Sequence, residues 1–253
     1  AELSLLPESF VFVDDNPAER EIVSAQIAGI AVPEFQDPAD CIRVLDHAGY
    51  FETTTFSAAD ASRSEMYRAN AQRAQMQQTY ANYTDYLLGL DMHADIRDFD
   101  AVALPRIVQL TTRRYTQSEM EQVAADHKHI RLYGRLRDKF GDNGIVSVVI
   151  GEISGDTLHI ELWLMSCRVL KRDMELAMLD TLVAECRKQG ITAICGYYYK
   201  TAKNAMVKDL FGTFGFTKTE QFENGDSTWR MEIAGYENQN HVIQVNEKEH
   251  QQA

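Results

Sequence analysis

The sequence predicts an α/β protein in several parts, on three observations. An apolar strand, Phe10–Val13, runs straight into two aspartates and a helix start. From about residue 39 to 90 the apolar residues recur at helical spacing. Beyond about residue 130 they alternate with period two, then return to helix and strand in turn. The expected architecture is the edge of a parallel sheet over residues 1–38, a helical connector over 39–90, an α+β domain with a mixed sheet over 91–236, and a polar tail over 237–253.

The first part reads strand, helix, strand: Phe10–Val13, then Asn16 to about Ile27, then Ile30–Val32. Pro17 suits the first helical turn because its ring fixes φ and its missing N–H would have no partner there, with Asp15 or Asn16 as N-cap. A parallel pair needs neighbours on both sides. With only nine residues before Phe10, in a chain that opens on Ala1, the expectation is the C-terminal part of a larger enzyme.

In the connector, Asp40–Ala48 is a short helix stopped at Gly49. Ser57–Asp60 resembles a capping box and opens one long helix ending at Gly89. Its stripe is Met66, Ala69, Met76, Tyr80, Tyr83 and Leu87, which Arg73 interrupts.

Met92–Phe99 reads as a weak strand, and Ala101–Leu110 and Ser118–Ala125 as helices. A meander follows: Arg131–Lys139, a turn at Phe140–Gly144, Ile145–Ile153, a turn at Ser154–Asp156, and Thr157–Met165. In the last strand Leu158, Ile160, Leu162 and Leu164 are expected on one face, and His159, Glu161 and Trp163 on the other. Then come a helix over Arg172–Gln189, a strand over Ile191–Gly196, a helix over Ala202–Phe214, and a strand over Trp229–Ile233. From Glu237 the chain is polar and expected to be mobile.

Composition narrows the function. With 45% hydrophobic residues in 253, the chain can bury a real core. A formal net charge of -13 argues against nucleic acid and against anionic membrane surfaces. No apolar run approaches the roughly 20 residues that span a bilayer. Four cysteines (Cys41, Cys167, Cys186, Cys195) form no C-x-x-C pair and read as reduced thiols of a cytoplasmic protein. His127 and His129 lack zinc-type spacing and read as solvated.

Meander, helix, strand, helix, strand is the order of a GNAT-type acyltransferase fold. There the helix after the fourth strand opens onto the pyrophosphate of an acyl thioester, since a helix N-terminus offers free N–H groups and a positive dipole end. That junction here is Ser166-Cys167-Arg168-Val169-Leu170-Lys171-Arg172-Asp173. The usual loop has Arg or Gln followed by glycines at the fourth and sixth positions; Arg168 fits, and Lys171 and Asp173 replace the glycines. Arg168, Lys171 and Arg172 either contact a phosphate or form a solvated helix start. Asn204, after the next strand, would sit near the pantetheine arm. Cys167 is either an acyl-carrying nucleophile beside a helix start or a small apolar residue at a strand end.

FVFVDDNPAERE, LTTRRYT, FGDNGIVSVVIG, GDTLHIELWLMSCRVLKRDMELAMLD and GYYYKTAKNAMVKDLFGTFGF together resemble the FkbH-like family, in which a haloacid-dehalogenase (HAD) type phosphatase domain is joined to a GNAT-like domain. The resemblance covers nearly all of the chain to about Ile233. It implies glyceryl transfer: dephosphorylation of a phosphorylated three-carbon acid and loading of the glyceryl group onto the phosphopantetheine thiol of an acyl carrier protein. It implies that Asp14 and Asp15 fall on the last HAD motif, where an acidic residue holds Mg²⁺; the bare reading is that they cap the next helix. The sequence departs from the family in two places. The aspartate-x-aspartate nucleophile strand is absent, so the chain by itself is expected to lack phosphatase activity and to need a preceding HAD segment. The insertion usually found after Leu110 is also absent. Two rival functions stay open: a non-catalytic module that docks a carrier protein, and an N-acetyltransferase using free CoA thioester.

Overall fold

A computed structural model describes residues 7–52, 63–111, 114–201 and 204–246; the expected capping box at Ser57–Asp60 lies outside them. The chain divides into two compact units, residues 1–68 and 69–253.

In the first unit, helix α1 (Pro17–Gln26) starts as expected: Pro17 occupies the first turn and Asn16 Oδ1 accepts the Ala18 N–H at 3.0 Å. The two flanking strands are a correction. They reduce to one parallel bridge, Val11 with Ala31, held by Phe12 N–H to Ala31 O and Ala31 N–H to Phe10 O. Helix α1 buries no residue, and Val13 and Ile22 stay 40% and 46% exposed. Without apolar cover a parallel pair has little to hold it. Helix α2 (Cys41–His47) ends at Gly49, which takes the left-handed φ of 66° that favours glycine.

The expected long helix is two. Helix α3 (Arg63–Gln77) crosses the boundary between units, and α4 (Tyr83–Gly89) restarts where Asn82 Oδ1 caps the Asp85 N–H at 2.8 Å. Asparagine competes for backbone donors and so favours a new start over continuation. Arg73, which breaks the apolar stripe in the sequence, is itself buried. Its Nε and Nη2 donate to the two oxygens of Asp138, each at 2.8 Å.

The second unit is built on an eight-stranded mixed sheet in the order β6-β7-β5-β4-β3-β2-β1-β8. Strands β1 (Met92–Arg97), β2 (His129–Asp138), β3 (Gly141–Ser154) and β4 (Thr157–Met165) run antiparallel in sequence. The first hairpin turns at Lys139–Phe140, tighter than expected, since Asp138 already pairs with Gly141. β4 then pairs in parallel with β5 (Ala193–Tyr198), and β5 in antiparallel with β7 (Ser227–Glu232). The fold class, α/β with a mixed sheet in the expected order, is present.

Helix α7 (Met174–Lys188) covers one face with Met174, Ala177, Met178, Leu182 and Cys186, against Leu158, Ile160 and Ile194. Helices α5 (Leu104–Thr111) and α6 (Gln117–Ala125) bring Ile107 and Met120 to a second core with Val148, Ile150 and Leu162. Leu158 and Leu162 therefore lie on opposite faces, not one. Pairing steps from Ile150–Leu162 to Gly151–Ile160, so Glu161 is an extra residue in β4, and such a bulge exchanges the faces beyond it.

Three other elements differ from expectation. Ala202–Phe214 is not one helix: Ala205–Val207 is a 3-10 turn and α8 covers only Leu210–Thr213. β6 (Thr217–Gln221) is fully exposed and polar, with no alternation to read. The expected polar tail folds as far as Asn246. Asp180 accepts from the Tyr236 hydroxyl and from the Gln239 and Asn240 N–H groups, and β8 (Ile243–Val245) pairs in parallel with β1.

Candidate functional site

β4 and β5 pair at three rungs, Thr157–Ala193, Leu158–Ile194 and His159–Cys195, and then part. β5 continues on β7 to Tyr198, while β4 passes its bulge and continues on β3 to Met165. A wedge opens between two strand edges. Trp163 of β4 stands beside it, stacked on Phe214 at 5.2 Å between centroids and edge-on to Phe211 at 6.5 Å. Phe211 in turn fills the place where a Cβ on Gly196 would lie, so this glycine is needed for close approach. The Trp163 Nε1 atom is buried and has no hydrogen-bond partner among the described residues. On the other face the His159 Nδ1 and the Tyr197 hydroxyl are 2.6 Å apart, and Tyr197 and Tyr199 stack at 6.3 Å.

The loop from β4 to α7 follows. Ser166 Oγ accepts from Arg168 N–H and Nε, and Cys167–Val169 forms a 3-10 turn. Cys167's side chain lies outside the described residues. Lys171 and Asp173 have φ of 64° and 59°, the left-handed region, at the two positions where the acyl-thioester loop has glycine. A side chain there costs about 1–2 kcal/mol per residue, so the loop keeps a glycine-type backbone without glycine. Asp173 makes no side-chain cap, and the first N–H groups of α7 have no acceptor within the helix.

The charges on this loop differ from expectation. Arg172 is buried, not presented to a phosphate: its Nη1 donates to Asp138 Oδ2 at 3.3 Å, on the carboxylate that Arg73 also holds. Burial, reinforced by the Arg73 charge, lowers its pKa. Lys171 is exposed, and its carbonyl accepts the Tyr83 hydroxyl at 2.7 Å. Burial raises the carboxyl pKa of Asp173 and of Glu175, and Glu175 Oε2 has no partner among the described residues. The helix start thus carries its own acidic groups beside Arg168 and Lys171. Asn204 is a second correction. Its Oδ1 accepts from Thr201 N–H and Tyr198 hydroxyl at 2.8 and 3.1 Å, and its Nδ2 donates to Tyr199 O at 2.8 Å. That amide latches the loop after β5 and is not presented to a pantetheine arm.

A cavity of about 380 Å³ lies on the α6 side of the sheet, lined by residues that include Arg114, Tyr115, Asp126, His129 and Glu161. His129 was expected in solvent, yet its side chain is only 13% exposed. Its Nδ1 is 3.0 Å from Asp126 Oδ2 and its Nε2 3.4 Å from Glu161 Oε2. An imidazole between two carboxylates can hold and relay a proton. The spacing of Asp126 and His129 is legible in the sequence; the approach of bulge residue Glu161 is not.

In the first unit Asp14 Oδ1 accepts the Asn16 N–H at 2.8 Å, and Asp15 is exposed. No group of three or more His, Cys, Asp or Glu that could hold a metal stands together among the described residues. Asp14, folded back onto the helix start, and Asp15 do not by themselves fit the Mg²⁺ site expected of them. Nor is any helix among the described residues long and apolar enough to cross a membrane.

No family model matches the chain, and no curated protein does. Among solved structures it is similar to the ribosomal-protein-S18-alanine N-acetyltransferase from Escherichia coli, at 13% identity and a TM-score of 0.44 over 58% of this chain and 99% of that one. It is similar to the PaiA N-acetyltransferase from Thermoplasma acidophilum in complex with coenzyme A, at 12% identity and 0.42 over 55% and 98%. An aminoglycoside 6'-acetyltransferase type Ii gives 13% and 0.46 over 56% and 99%. Similarity this low carries no argument about activity, and the functional reading rests on the geometry.

Proposed function

We propose that residues 69–246 are an acyl-transfer unit that holds the phosphopantetheine arm of an acyl thioester in the wedge between β4 and β5. The observation that carries this reading is the pair of left-handed residues, Lys171 and Asp173, in the loop that follows the wedge. Backbone strain of this kind persists where the surrounding structure enforces a shape, and it concentrates at binding sites. The N–H groups at the start of α7, with Arg168 and Lys171, would face the phosphate, and Trp163 and Gly196 would flank the arm. The thioester would supply an activated acyl carbon, and in this reading His129, between Asp126 and Glu161, would take a proton from an acyl acceptor in the α6 cavity.

The charge balance favours an arm borne by a carrier protein. Arg172 is withdrawn to Asp138, and Asp173 and Glu175 stand at the helix start. Two cations suit a single phosphodiester better than the pyrophosphate and 3'-phosphate of free CoA. The resemblance to the FkbH-like family makes glyceryl the acyl group to test first.

The test is equilibrium binding of an acyl carrier protein, with and without its phosphopantetheine, to wild type and to Arg168→Ala and Lys171→Ala. Each charge-assisted contact is worth roughly 1.5–3 kcal/mol, so each variant should bind the arm-bearing carrier about tenfold or more weakly. Equal affinity throughout would leave a docking surface that does not read the arm. Tight binding of CoA but not of the carrier would favour a CoA-dependent transferase.

A further inference from the structure

Among the described residues, the indole N–H of Trp163 is a buried donor without an acceptor. Buried polar groups in folded proteins are nearly always paired, so an unpaired one calls for a physical explanation. The other tryptophan follows the rule: Trp229 Nε1 donates to Ser227 Oγ at 2.9 Å. Trp163 is not left unpaired by looseness, because Phe214 stacks on its ring, Phe211 meets its edge, and Phe211 is itself seated against Gly196. Aromatic carbon offers the N–H no lone pair. The Trp163 backbone pairs with Val149 on β3, whereas the β5 side of β4 has no strand partner beyond His159. An extended chain entering there would add between two strand edges and could bring a carbonyl to this donor.

We infer that the Trp163 indole N–H is the hydrogen-bond donor for a carbonyl, amide or thioester, of an acyl-pantetheine arm lying in the β4–β5 wedge. The inference rests on the acyl-transfer reading and names the residue that reads the arm itself, apart from its phosphate. It also accounts for a tryptophan where phenylalanine would pack against the same rings.

The experiment follows the two indole N–H resonances of the full chain by ¹H–¹⁵N NMR, assigned with W163F, and measures affinity for three probes: CoA, 4'-phosphopantetheine, and 3'-phosphoadenosine 5'-diphosphate, which lacks the arm. The Trp163 resonance should move downfield and exchange more slowly when either arm-bearing probe binds, and the Trp229 resonance should stay. W163F should bind those two probes about three- to tenfold more weakly, bind the nucleotide equally, and melt no lower than wild type. CoA binding tighter than phosphopantetheine would identify free CoA as the source of the arm, and equal binding would identify a carrier; both support the inference. CoA bound with the Trp163 resonance unmoved, or W163F binding all three probes alike, would overturn the inference and leave the acyl-transfer reading standing. No binding of either arm-bearing probe to wild type would overturn both.

Discussion

Residues 10–32 and 157–198 share one plan, a strand, a helix and a second strand in parallel, yet only the later segment becomes sheet. In the earlier segment the strands meet at a single bridge and α1 buries nothing. In the later one α7 buries seven residues, and each strand has a further neighbour, β3 on one side and β7 on the other. A parallel pair is therefore held by cover and neighbours more than by its own hydrogen bonds. The later pair joins at three rungs only, and the wedge opens where the strands part, so the support that makes the sheet also leaves room between its strands.

The strongest way to break this contrast is to remove the support beneath the sheet. Asp138→Ala would strand two buried guanidinium groups, Arg73 and Arg172, and should cost about 3–5 kcal/mol. Denaturant unfolding followed by tryptophan fluorescence reports on this unit, since Trp163 and Trp229 both lie in it; a loss below about 1 kcal/mol would mean the network contributes little.

Gly196→Ala sets a Cβ against the Phe211 ring and should cost about 1–3 kcal/mol by overpacking. It should also weaken phosphopantetheine binding by displacing Trp163, and a variant that melts and binds as wild type would show that the wedge tolerates a wider β5.

Alkali tests the cover. Burial and the hydrogen bond to Asp100 push the Tyr133 hydroxyl up to about 12, and burial pushes the Cys186 thiol on α7 up to about 12. Folded-state pKa values above the unfolded ones mean that this stability is complete below the unfolded pKa values, about 10 for tyrosine and 8.5 for cysteine. It is lost as pH rises from there through about 12. Tyr133→Phe should flatten the decline in melting temperature over that range, and an unchanged slope would count against it.

Asp173→Gly relieves a left-handed residue and should raise stability by up to about 1 kcal/mol, the strain released less the entropy that glycine costs. A clear loss on thermal melting would show that the Asp173 side chain itself holds the loop. The smallest effect belongs to the earlier segment. Asn16→Ala removes the α1 cap for about 0.5–1 kcal/mol locally. Amide exchange should quicken around Ala18 and stay unchanged in β4 and β5; slowing or spread into the sheet would contradict the separation of the two regions.

Much of the second unit was legible because its signals are local. The alternation in Thr157–Met165 and the helix over Arg172–Gln189 each rest on residues within a few positions of one another. The site was less so. The bulge at Glu161 leaves LHIELWLM reading as an unbroken alternation, and the face exchange shows only in the pairing with β3. Arg73 reads as a flaw in an apolar stripe until Asp138, 65 residues away, is placed beside it. Arg172 and Asn204 have residue types suited to binding a ligand, but the structure engages both elsewhere.

The sequence by itself determined the period of each strong element, the cap and proline that start α1, and the order strand, helix, strand of the sheet, because backbone preference and contacts a few residues apart are encoded by neighbouring residues. Only the tertiary structure decided which parallel pair would become sheet, which cations would face solvent and which donor would be left unpaired. Those outcomes depend on burial and on partners distant in the chain, and a buried charge or N–H acquires its energetic meaning only when the group beside it is known.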